Sequence, residues 1–388
     1  MQYGLWKLVE LLSAMKERGV VLYGAGVRGK RALEVLEKAG IRIVAMADKE
    51  VGKNFGGYLT VSLDTLCKNA NNEVCIVTPL LPLTEEKERL KECYNIVTDI
   101  FIINWMQCFT PEDTAEMDYM DCHPFNHYES PFTSNEELRN FKSEGMYDMA
   151  GIDLNIEGQI GFVPSYKKNS ADFFQAEEDN KLRYAKGNPM YPEADAALLH
   201  SMLRENCVKK IIEIGSGFST CVMLDTNEYW MNHEMEIISI EPYPERLLKN
   251  MRETDKAHCT IIQDYVQNVS LEIFDSLKEN DVLFIDSSHV TKCGGDVLHE
   301  YFNILPRLKS GVLIHIHDIF NEFSYPKEWL KQGRPYTEGF ILRALLTNSN
   351  AYEILFFQHM MLCSHRTLME EVLGSERMHG GSIWLRKK

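Results

Sequence analysis

Two short segments of the chain bring together acidic and imidazole side chains at a spacing that could support chemistry. Asp286 and His289 belong to an Asp-Ser-Ser-His segment that directly follows the apolar run 282–285. His317 and Asp318 directly follow the next apolar run, 311–316. Because the carboxyl ends of neighbouring parallel strands meet at one edge of a sheet, we expect these four side chains to lie together. Such a cluster could remove a proton from a bound molecule or hold a divalent cation.

The residue types suggest a division of roles within this cluster. His289, assisted by Asp286, is the candidate catalytic base, because a histidine titrates near neutral pH. Asp286, His317 and Asp318 are the candidate metal ligands; the carboxylates suit Mg²⁺, whereas the imidazole favours Mn²⁺, Fe²⁺ or Zn²⁺. Structural alternatives remain open, since His289 could bind backbone groups at a helix start and Asp318 could cap the segment that follows it.

A glycine-containing turn after an apolar strand predicts a nucleoside pocket at the same sheet edge. Residues 211–214 form the strand, and Gly215 and Gly217 allow the backbone to approach a ligand closely. The next strand, 237–240, ends at Glu241, whose carboxylate could accept hydrogen bonds from both ribose hydroxyls. The turn lacks a third glycine and a phosphate-cradling lysine, so a ligand with a sugar and a base but no pyrophosphate fits best.

The elements that would position these groups are parallel strands alternating with helices. We predict seven strands, over residues 208–214, 236–241, 259–263, 281–286, 311–316, 352–357 and 382–386. The first five have helices between them, whereas the last two have only a helix-length insert and no further crossover helix. This pattern predicts an α/β fold with helices on both faces of one sheet.

Residues 191–388 resemble the class I S-adenosylmethionine-dependent methyltransferases. The resemblance rests on residues 213–217, on Glu241, and on Asp264 and Asp286 after the third and fourth strands. It implies that S-adenosylmethionine is the cofactor and that residues 213–218 pack against its methionine moiety. It also implies that Glu241 binds the ribose and that Asp264 and Tyr265 lie near the adenine. The implied cofactor-binding residues are Glu213, Gly215, Ser216, Gly217, Phe218, Ser219, Glu241, Pro242, Asp264, Tyr265 and Asp286.

Within that class, the residues after two of the strands resemble the metal-dependent sugar O-methyltransferases of macrolide tailoring. These residues are Asp286 and His289 after one strand and His317 and Asp318 after the next. The resemblance implies that His289 is the base and that the strand-end acids hold Mg²⁺. His317 stands where the pattern has a carboxylate. The expected acceptor is a small sugar-containing molecule or a secondary metabolite.

The first part of the chain carries a second glycine turn. Gly24, Gly26 and Gly29 follow a predicted strand at 20–23, open a helix at 30–38, and precede Asp48 at the end of a strand at 41–47. Further strands are predicted at 74–78 and 100–103. This arrangement meets the context of a dinucleotide fingerprint. It resembles small Rossmann-like domains of sugar-modifying enzymes, which implies binding of a nucleotide or nucleotide-sugar; a vestigial or interaction role is the alternative.

The predicted organisation has three segments. Residues 1–115 form a small Rossmann-like domain, 116–190 a connector or lid, and 191–388 the methyltransferase domain, so the fold class is α/β with two Rossmann-like domains. The acidic and histidine residues at 121–129 in the connector suit either a metal site or a solvated turn, and the turn is the better explanation.

Composition narrows the partners. The chain of 388 residues is 45% hydrophobic and carries a formal charge of −16 without a basic stripe, so neither nucleic acid nor a membrane surface is an expected partner. We expect no signal peptide, and no apolar run approaches the roughly 20 residues that span a bilayer. The ten cysteines lack a C-x-x-C pair and indicate reduced thiols in a cytoplasmic protein. A homo-oligomer is compatible with the sequence.

Two other function classes stay open at this point. The first glycine turn could belong to an NAD-dependent oxidoreductase or epimerase. Alternatively, the strand-end acids could serve only as helix caps in a non-catalytic nucleotide-binding scaffold.

Overall fold

The computed structural model describes residues 15–25, 27–38, 40–71, 73–77, 84–97, 131–142 and 145–388. Contacts between Cα atoms divide the chain into two compact units, Met1–Ser130 and Pro131–Lys388. We predicted divisions after residues 115 and 190, whereas the contacts place residues 131–190 with the second unit. The predicted strand at 100–103 and the residues at 121–129, among them Asp121, His123, His127 and Glu129, lie outside the described residues.

The first unit contains a four-stranded parallel sheet in the order β2-β1-β5-β6. Its predicted strands at 20–23, 41–47 and 74–78 are present within two residues, and apolar residues of β1, β2 and β5 are buried. The pairing of two such sheets as a two-domain Rossmann-like arrangement stays a prediction. The elements of this unit are β1 (Val20–Tyr23), α1 (Val27–Lys38), β2 (Ile43–Ala47), β3 (Asn54–Phe55), β4 (Tyr58–Leu59), α2 (Leu63–Lys68), β5 (Val74–Val77), α3 (Thr84–Cys93) and β6 (Asn95–Val97).

The second unit is built on a seven-stranded sheet with helices packed against it. Its elements are α4 (Asn135–Asn140), α5 (Ile156–Glu178), α6 (Glu193–Glu205), β7 (Lys210–Ile214), α7 (Phe218–Trp230), β8 (Glu236–Ile240), α8 (Glu245–Asn250), β9 (Cys259–Ile262), α9 (Glu272–Asp275), β10 (Val282–Ile285), α10 (Asp296–His299), β11 (Leu313–His317), α11 (Lys327–Lys331), α12 (Glu338–Leu346), β12 (Tyr352–Phe357), α13 (Gln358–Ser364), α14 (Arg366–Leu373) and β13 (Ser382–Lys387). All seven predicted strands are present, with ends that differ by at most two residues.

The strand order of this sheet is β12-β13-β11-β10-β7-β8-β9. Strands β7 to β11 pair in parallel, and β13 inserts antiparallel between β11 and β12. Every residue of β10 and β11 is buried, as expected of parallel strands covered on both faces. The order therefore places the carboxyl ends of β7, β10 and β11 side by side.

The longest helix, α5, lies in the segment that we predicted as a connector. It packs against α6 and buries Tyr166 and Phe173 in the same core as the sheet. A polar side chain of α5 also hydrogen-bonds to β12, whose register shifts between Ile354 and Phe356. The Gln159 Oε1 atom accepts a hydrogen bond from the Phe357 backbone amide at 2.8 Å. Among the described residues, no helix is both long enough and apolar enough to cross a membrane.

Candidate active site

The register of the central strands brings the two acidic segments together. Phe284 of β10 pairs with both Glu213 of β7 and His315 of β11, so Asp286 and His317 emerge next to each other at the sheet edge. The Asp286 backbone amide donates to the carbonyl of Ile214 at 2.9 Å, which extends the ladder to the start of the glycine turn. The predicted meeting of these strand ends is present in the structure.

Gly215 allows the turn after β7 to touch the strand end of β10. Its φ is +82°, a left-handed conformation that costs other residues free energy. A Cβ atom at this position would lie 1.9 Å from the backbone carbonyl oxygen of Asp286, so no side chain fits without moving the backbone. Glycine is thus required here by both conformation and space.

Glu213 stabilises the turn from beneath. Its carboxylate is fully buried and accepts hydrogen bonds from the hydroxyls of Ser219, Thr220 and Ser239 at 2.6–2.7 Å. Burial raises the pKa of Glu213 to about 7. The residue does not line the cavity described below. Its contact with a cofactor stays a prediction. Any contribution to binding would act through the turn.

Glu241 lies at the end of β8 and faces the glycine turn. One carboxylate oxygen accepts from the Ser216 backbone amide at 3.0 Å, and the other accepts from the Tyr243 amide at 2.8 Å. Each carboxylate oxygen has a further lone pair, so Glu241 could still accept hydrogen bonds from ligand hydroxyls.

The residues predicted to lie near an adenine ring bond to groups of their own segment and to Tyr243. The Asp264 carboxylate accepts from the Tyr265 backbone amide and from the Asn268 side chain, both at 2.7 Å. The Tyr265 hydroxyl lies 2.6 Å from that of Tyr243, on the surface. Neither Asp264, Tyr265 nor Pro242 lines the cavity next to the turn. Their contact with a cofactor stays a prediction.

Four side chains converge beside the turn, and we call them the strand-end cluster: Asp286, His289, His317 and Asp318. One oxygen of Asp286, Oδ1, lies 3.3 Å from His289 Nε2 and 3.4 Å from His317 Nδ1. Asp318 approaches both rings at 3.6 Å. His289 and Asp318 also have positive φ values of 59° and 53°. Such non-glycine conformations are found preferentially at functional sites.

The charges of the cluster shift the pKa values of its members. Burial alone would raise the pKa of Asp286, but the imidazoles of His317 and His289 hold it well below its usual range. Burial would lower the pKa of His289, but its hydrogen bonds to Asp286 and Glu338 outweigh burial and raise it well above its ordinary value. His317 shifts in the same direction, because Asp286 and Asp318 outweigh its burial. The cluster therefore favours protonated histidines when no other cation is present.

The glycine turn and the strand-end cluster line one cavity of about 200 Å³. Its walls are Met190, Tyr191, Gly215, Ser216, Gly217, Phe218, Ser219, Glu241, Arg246, Asp286, Ser287, His289, His317, Asp318 and Tyr336. A ligand held at the turn would therefore lie beside the cluster.

Comparison with known proteins identifies the domain that holds this cavity. Residues 212–319, which span β7 to the end of β11, match a family model described as a methyltransferase domain. The protein is a methyltransferase. The predicted enzyme class is thereby confirmed, and the matched residues contain both the glycine turn and the strand-end cluster.

The methyltransferase has a relative in Archaeoglobus fulgidus, an uncharacterised protein with 32% identity over 166 residues, which cover 40% of this chain and 74% of the relative. The chain belongs to the same family as that archaeal protein.

Two solved structures also resemble the methyltransferase. One is the Podospora anserina methyltransferase PaMTH1 bound to S-adenosylhomocysteine, with 16% identity, coverage of 50% of this chain and 77% of that chain, and a TM-score of 0.33. The other is the plantazolicin methyltransferase BpumL in complex with a triazolic desmethyl-plantazolicin analogue and S-adenosylhomocysteine, with 12% identity, coverage of 59% and 98%, and a TM-score of 0.35. Both scores are low, so neither likeness decides the substrate.

Three side chains of the strand-end cluster lie close enough together to coordinate a divalent cation. One ligand atom from each of Asp286, His289 and His317 lies within 4.8 Å of the others. We predicted Asp286, His317 and Asp318 as ligands, whereas the group within mutual reach has His289 in place of Asp318. Two imidazoles and a carboxylate favour a borderline cation such as Mn²⁺, Fe²⁺ or Zn²⁺ over Mg²⁺.

Sequence reasoning missed one acid of the site. Asp195 of α6 is fully buried, and its Oδ2 atom lies 3.7 Å from His317 Nε2. The apolar face of α6 gave no signal for it. A second acid, Glu338, is fully buried beside His289 and does not line the cavity.

Proposed function

We propose that the protein transfers a methyl group from S-adenosylmethionine to a hydroxyl oxygen of a small acceptor, which is a sugar-containing molecule or a secondary metabolite. The observation that supports the proposal is the shared cavity, where the glycine turn and Glu241 lie next to the strand-end cluster. S-adenosylmethionine supplies a methyl group on a sulfonium, whose thioether leaves as a neutral species. No acid is therefore needed for the leaving group.

The reaction at a hydroxyl does require removal of its proton, and we assign this role to His289. Its Nε2 atom is directed at Asp286 and Asp318 beside the cavity. The base must be neutral before it can accept a proton, and its pKa is raised. The rate should therefore increase as pH rises through a value above the ordinary pKa of histidine.

A divalent cation at Asp286, His317 and Asp318, with His289 within reach, would lower the pKa of the acceptor hydroxyl and orient it. Metal binding would also displace protons from the imidazoles, since histidine binds metals in its neutral form. Asp286 and His317, whose ligand atoms lie within 4.8 Å of each other, support this part of the proposal; Asp318 lies 3.6 Å from His317 Nδ1.

The aromatic segment after β11 supports a ring-shaped acceptor. Trp329 and Tyr336 meet edge to face at 5.5 Å, and Phe320 packs edge to face on Trp329 at 5.0 Å. Tyr336 also lines the cavity. Aromatic walls with a few polar groups are typical of small-molecule pockets and suit a sugar ring.

Labelled S-adenosylmethionine and a panel of hydroxylated sugars, nucleotide-sugars and secondary metabolites test this function. We expect transfer of label to one acceptor class, a rate loss of at least about 100-fold in His289→Ala, and inhibition by EDTA that Mn²⁺ reverses. His233→Ala, an exposed histidine before β8, is the control and should keep the wild-type rate. An unchanged rate in His289→Ala would remove its role as base, and insensitivity to EDTA would remove the cation.

The first unit supports a separate proposal, binding of a nucleotide or nucleotide-sugar. Gly24 has a φ of +108°, and the Ala25 backbone amide donates to Asp48 Oδ2 at 2.5 Å. The second oxygen of Asp48 accepts from the Glu50 amide at 3.0 Å. This is the same arrangement that Glu241 makes with its own glycine turn. Calorimetric titration with NAD and with UDP-sugars tests this proposal. If neither binds, the interaction role of the first unit is the alternative that stands.

A further inference from the structure

Glu338 lies in the first turn of α12, and its carboxylate faces the Nδ1 atom of His289. Its Oε2 atom lies 2.8 Å from His289 Nδ1, and both side chains are buried. We propose that Glu338 is a positioning residue, which fixes the ring orientation and tautomer of His289 so that Nε2 faces the acceptor side of the cluster. This inference rests on the proposed role of His289 as the base.

The backbone around Glu338 holds His289 in the same place. The carbonyl oxygen of His289 accepts hydrogen bonds from the amides of Thr337 and Glu338 at 2.9 and 3.1 Å. The Thr291 amide donates to the Thr337 hydroxyl at 2.7 Å. The Tyr336 ring packs against the imidazole at 5.0 Å. Residues 336–338 thus contact both the backbone and the ring of His289, whose φ is positive. These contacts restrict rotation of the imidazole.

Fixing one nitrogen decides what the other can do. When Nδ1 donates its hydrogen to a carboxylate, the neutral ring has its lone pair on Nε2. In this structure Nε2 points at Asp286 Oδ1, 3.3 Å away, on the side that opens into the cavity. Without the Glu338 carboxylate, the ring could carry its hydrogen on Nε2 and would then be unable to accept a proton there.

The second histidine of the cluster shows the contrast. His317 also has a buried carboxylate behind it, but the distance from its Nε2 to Asp195 Oδ2 is 3.7 Å, and this nitrogen has no hydrogen-bond partner among the described residues. The Asp195 carboxylate is occupied by the Gly381 amide at 3.0 Å and the Ser382 hydroxyl at 2.6 Å. The tautomer of His289 is therefore held by a hydrogen bond, whereas that of His317 is not.

Two substitutions separate positioning from simple packing. Glu338→Gln keeps an oxygen that can accept from Nδ1 but lacks the charge, and Glu338→Ala removes the acceptor. We expect kcat to fall about 10- to 100-fold in Glu338→Gln, as is usual when the partner of a functional histidine is altered, and further in Glu338→Ala. The KM for S-adenosylmethionine and the Kd for S-adenosylhomocysteine should stay within about twofold, because Glu338 does not line the cavity.

A spectroscopic readout decides the inference independently of turnover. In ¹⁵N-histidine-labelled protein, the Nδ1 resonance of His289, assigned from its loss in His289→Asn, should show a hydrogen-bonded Nδ1–H that persists in Glu338→Gln and disappears in Glu338→Ala. Asp195→Asn is the matched control and should leave this resonance unchanged. An unchanged His289 resonance in Glu338→Ala, or a kcat equal to wild type, would overturn the proposal. If wild-type protein methylates no acceptor, the proposed function fails, while the resonance still tests the positioning.

Discussion

Gly215 is the residue on which the cofactor side of the site most depends. Substitution with alanine would place a Cβ atom 1.9 Å from the Asp286 carbonyl oxygen at a φ of +82°. We predict that Gly215→Ala costs about 1–3 kcal/mol from overpacking and abolishes binding of S-adenosylhomocysteine, measured by calorimetry.

Gly187→Ala is the matched control for this substitution. Gly187 has a φ of +68°, but no atom lies within 4 Å of the position of an added Cβ. Gly187→Ala should therefore lower the free energy of unfolding only by the cost of the left-handed backbone conformation, about 1 kcal/mol. It should bind S-adenosylhomocysteine as the wild type does. Normal binding by Gly215→Ala would contradict the tight contact between the turn and the strand end.

Glu213 predicts a pH dependence of stability. Burial raises its pKa in the folded protein from the ordinary value of 4.5 to about 7, so folding favours the protonated form. Its contribution is complete below pH 4.5 and is lost as pH rises through about 7. Glu213→Gln resembles the protonated acid and cannot ionise. The unfolding free energy of the variant relative to wild type should therefore increase by a few kcal/mol from pH 5 to pH 8.

Urea denaturation at both pH values measures this difference. A constant difference between the two proteins across the range would show that Glu213 does not titrate in this way.

The strand-end residues of the cluster were predictable because their strands are apolar runs and parallel strands align their carboxyl ends. The partners of the cluster were not. Asp195 lies about 90 residues before Asp286 and Glu338 about 50 residues after it. Only the packing of α6 and α12 against the sheet edge brings these two acids to the histidines, and no local pattern encodes that packing.

At the scale of the elements, Arg183 connects the loop after α5 to helix α7 and to the segment between α8 and β9. Its guanidinium bonds Asp225 of α7 at 2.8 Å and Asp255 at 2.5 Å, and all three side chains are almost fully buried. Removing the arginine would leave two buried carboxylates without their partner. We predict that Arg183→Met destabilises the protein by about 3–5 kcal/mol, measured by urea denaturation.

The exposed pair of Lys256 and Glu253 provides the comparison. These side chains meet at 2.8 Å but are 66% and 86% exposed, so Lys256→Ala should change stability by less than about 1 kcal/mol. Equal effects of the two substitutions would contradict the importance of burial for the Arg183 network.

Helix α5 shows where sequence patterns give too little information. Its interior contains Pro164, and its buried face includes Gln159, Asn169 and Ser170, so it lacks a clean apolar stripe. Gln159 and Asn169 bond partners in other elements, whereas the Ser170 hydroxyl donates to the Tyr166 carbonyl one turn earlier in the same helix. Gln159, for example, bonds the shifted part of β12, which follows almost 200 residues later. The strands lack this complication, because their apolar runs are buried on both faces.

At the scale of the whole molecule, the second unit contains the complete sheet and the candidate site. We predict that a fragment of residues 131–388 folds and binds S-adenosylhomocysteine with the affinity of the full chain. A fragment of residues 191–388 lacks α5 and should expose the core surface that Tyr166 and Phe173 cover. Circular dichroism and calorimetry compare them, and failure of the longer fragment to bind would show that the first unit is required.

The formal charge of −16 makes the molecule as a whole repel anions. The −16 charge also argues that an anionic acceptor would need a local cation. Arg246 is a basic residue that lines the cavity.

The central claim is that the methyl donor binds between the glycine turn and the strand-end cluster. A crystal structure of the protein with S-adenosylhomocysteine tests it most directly. We predict that the ribose hydroxyls lie within hydrogen-bonding distance of Glu241 and that the thioether sulfur faces Asp286 and His289. A ligand bound elsewhere, or one whose sulfur points away from these two residues, would contradict the account.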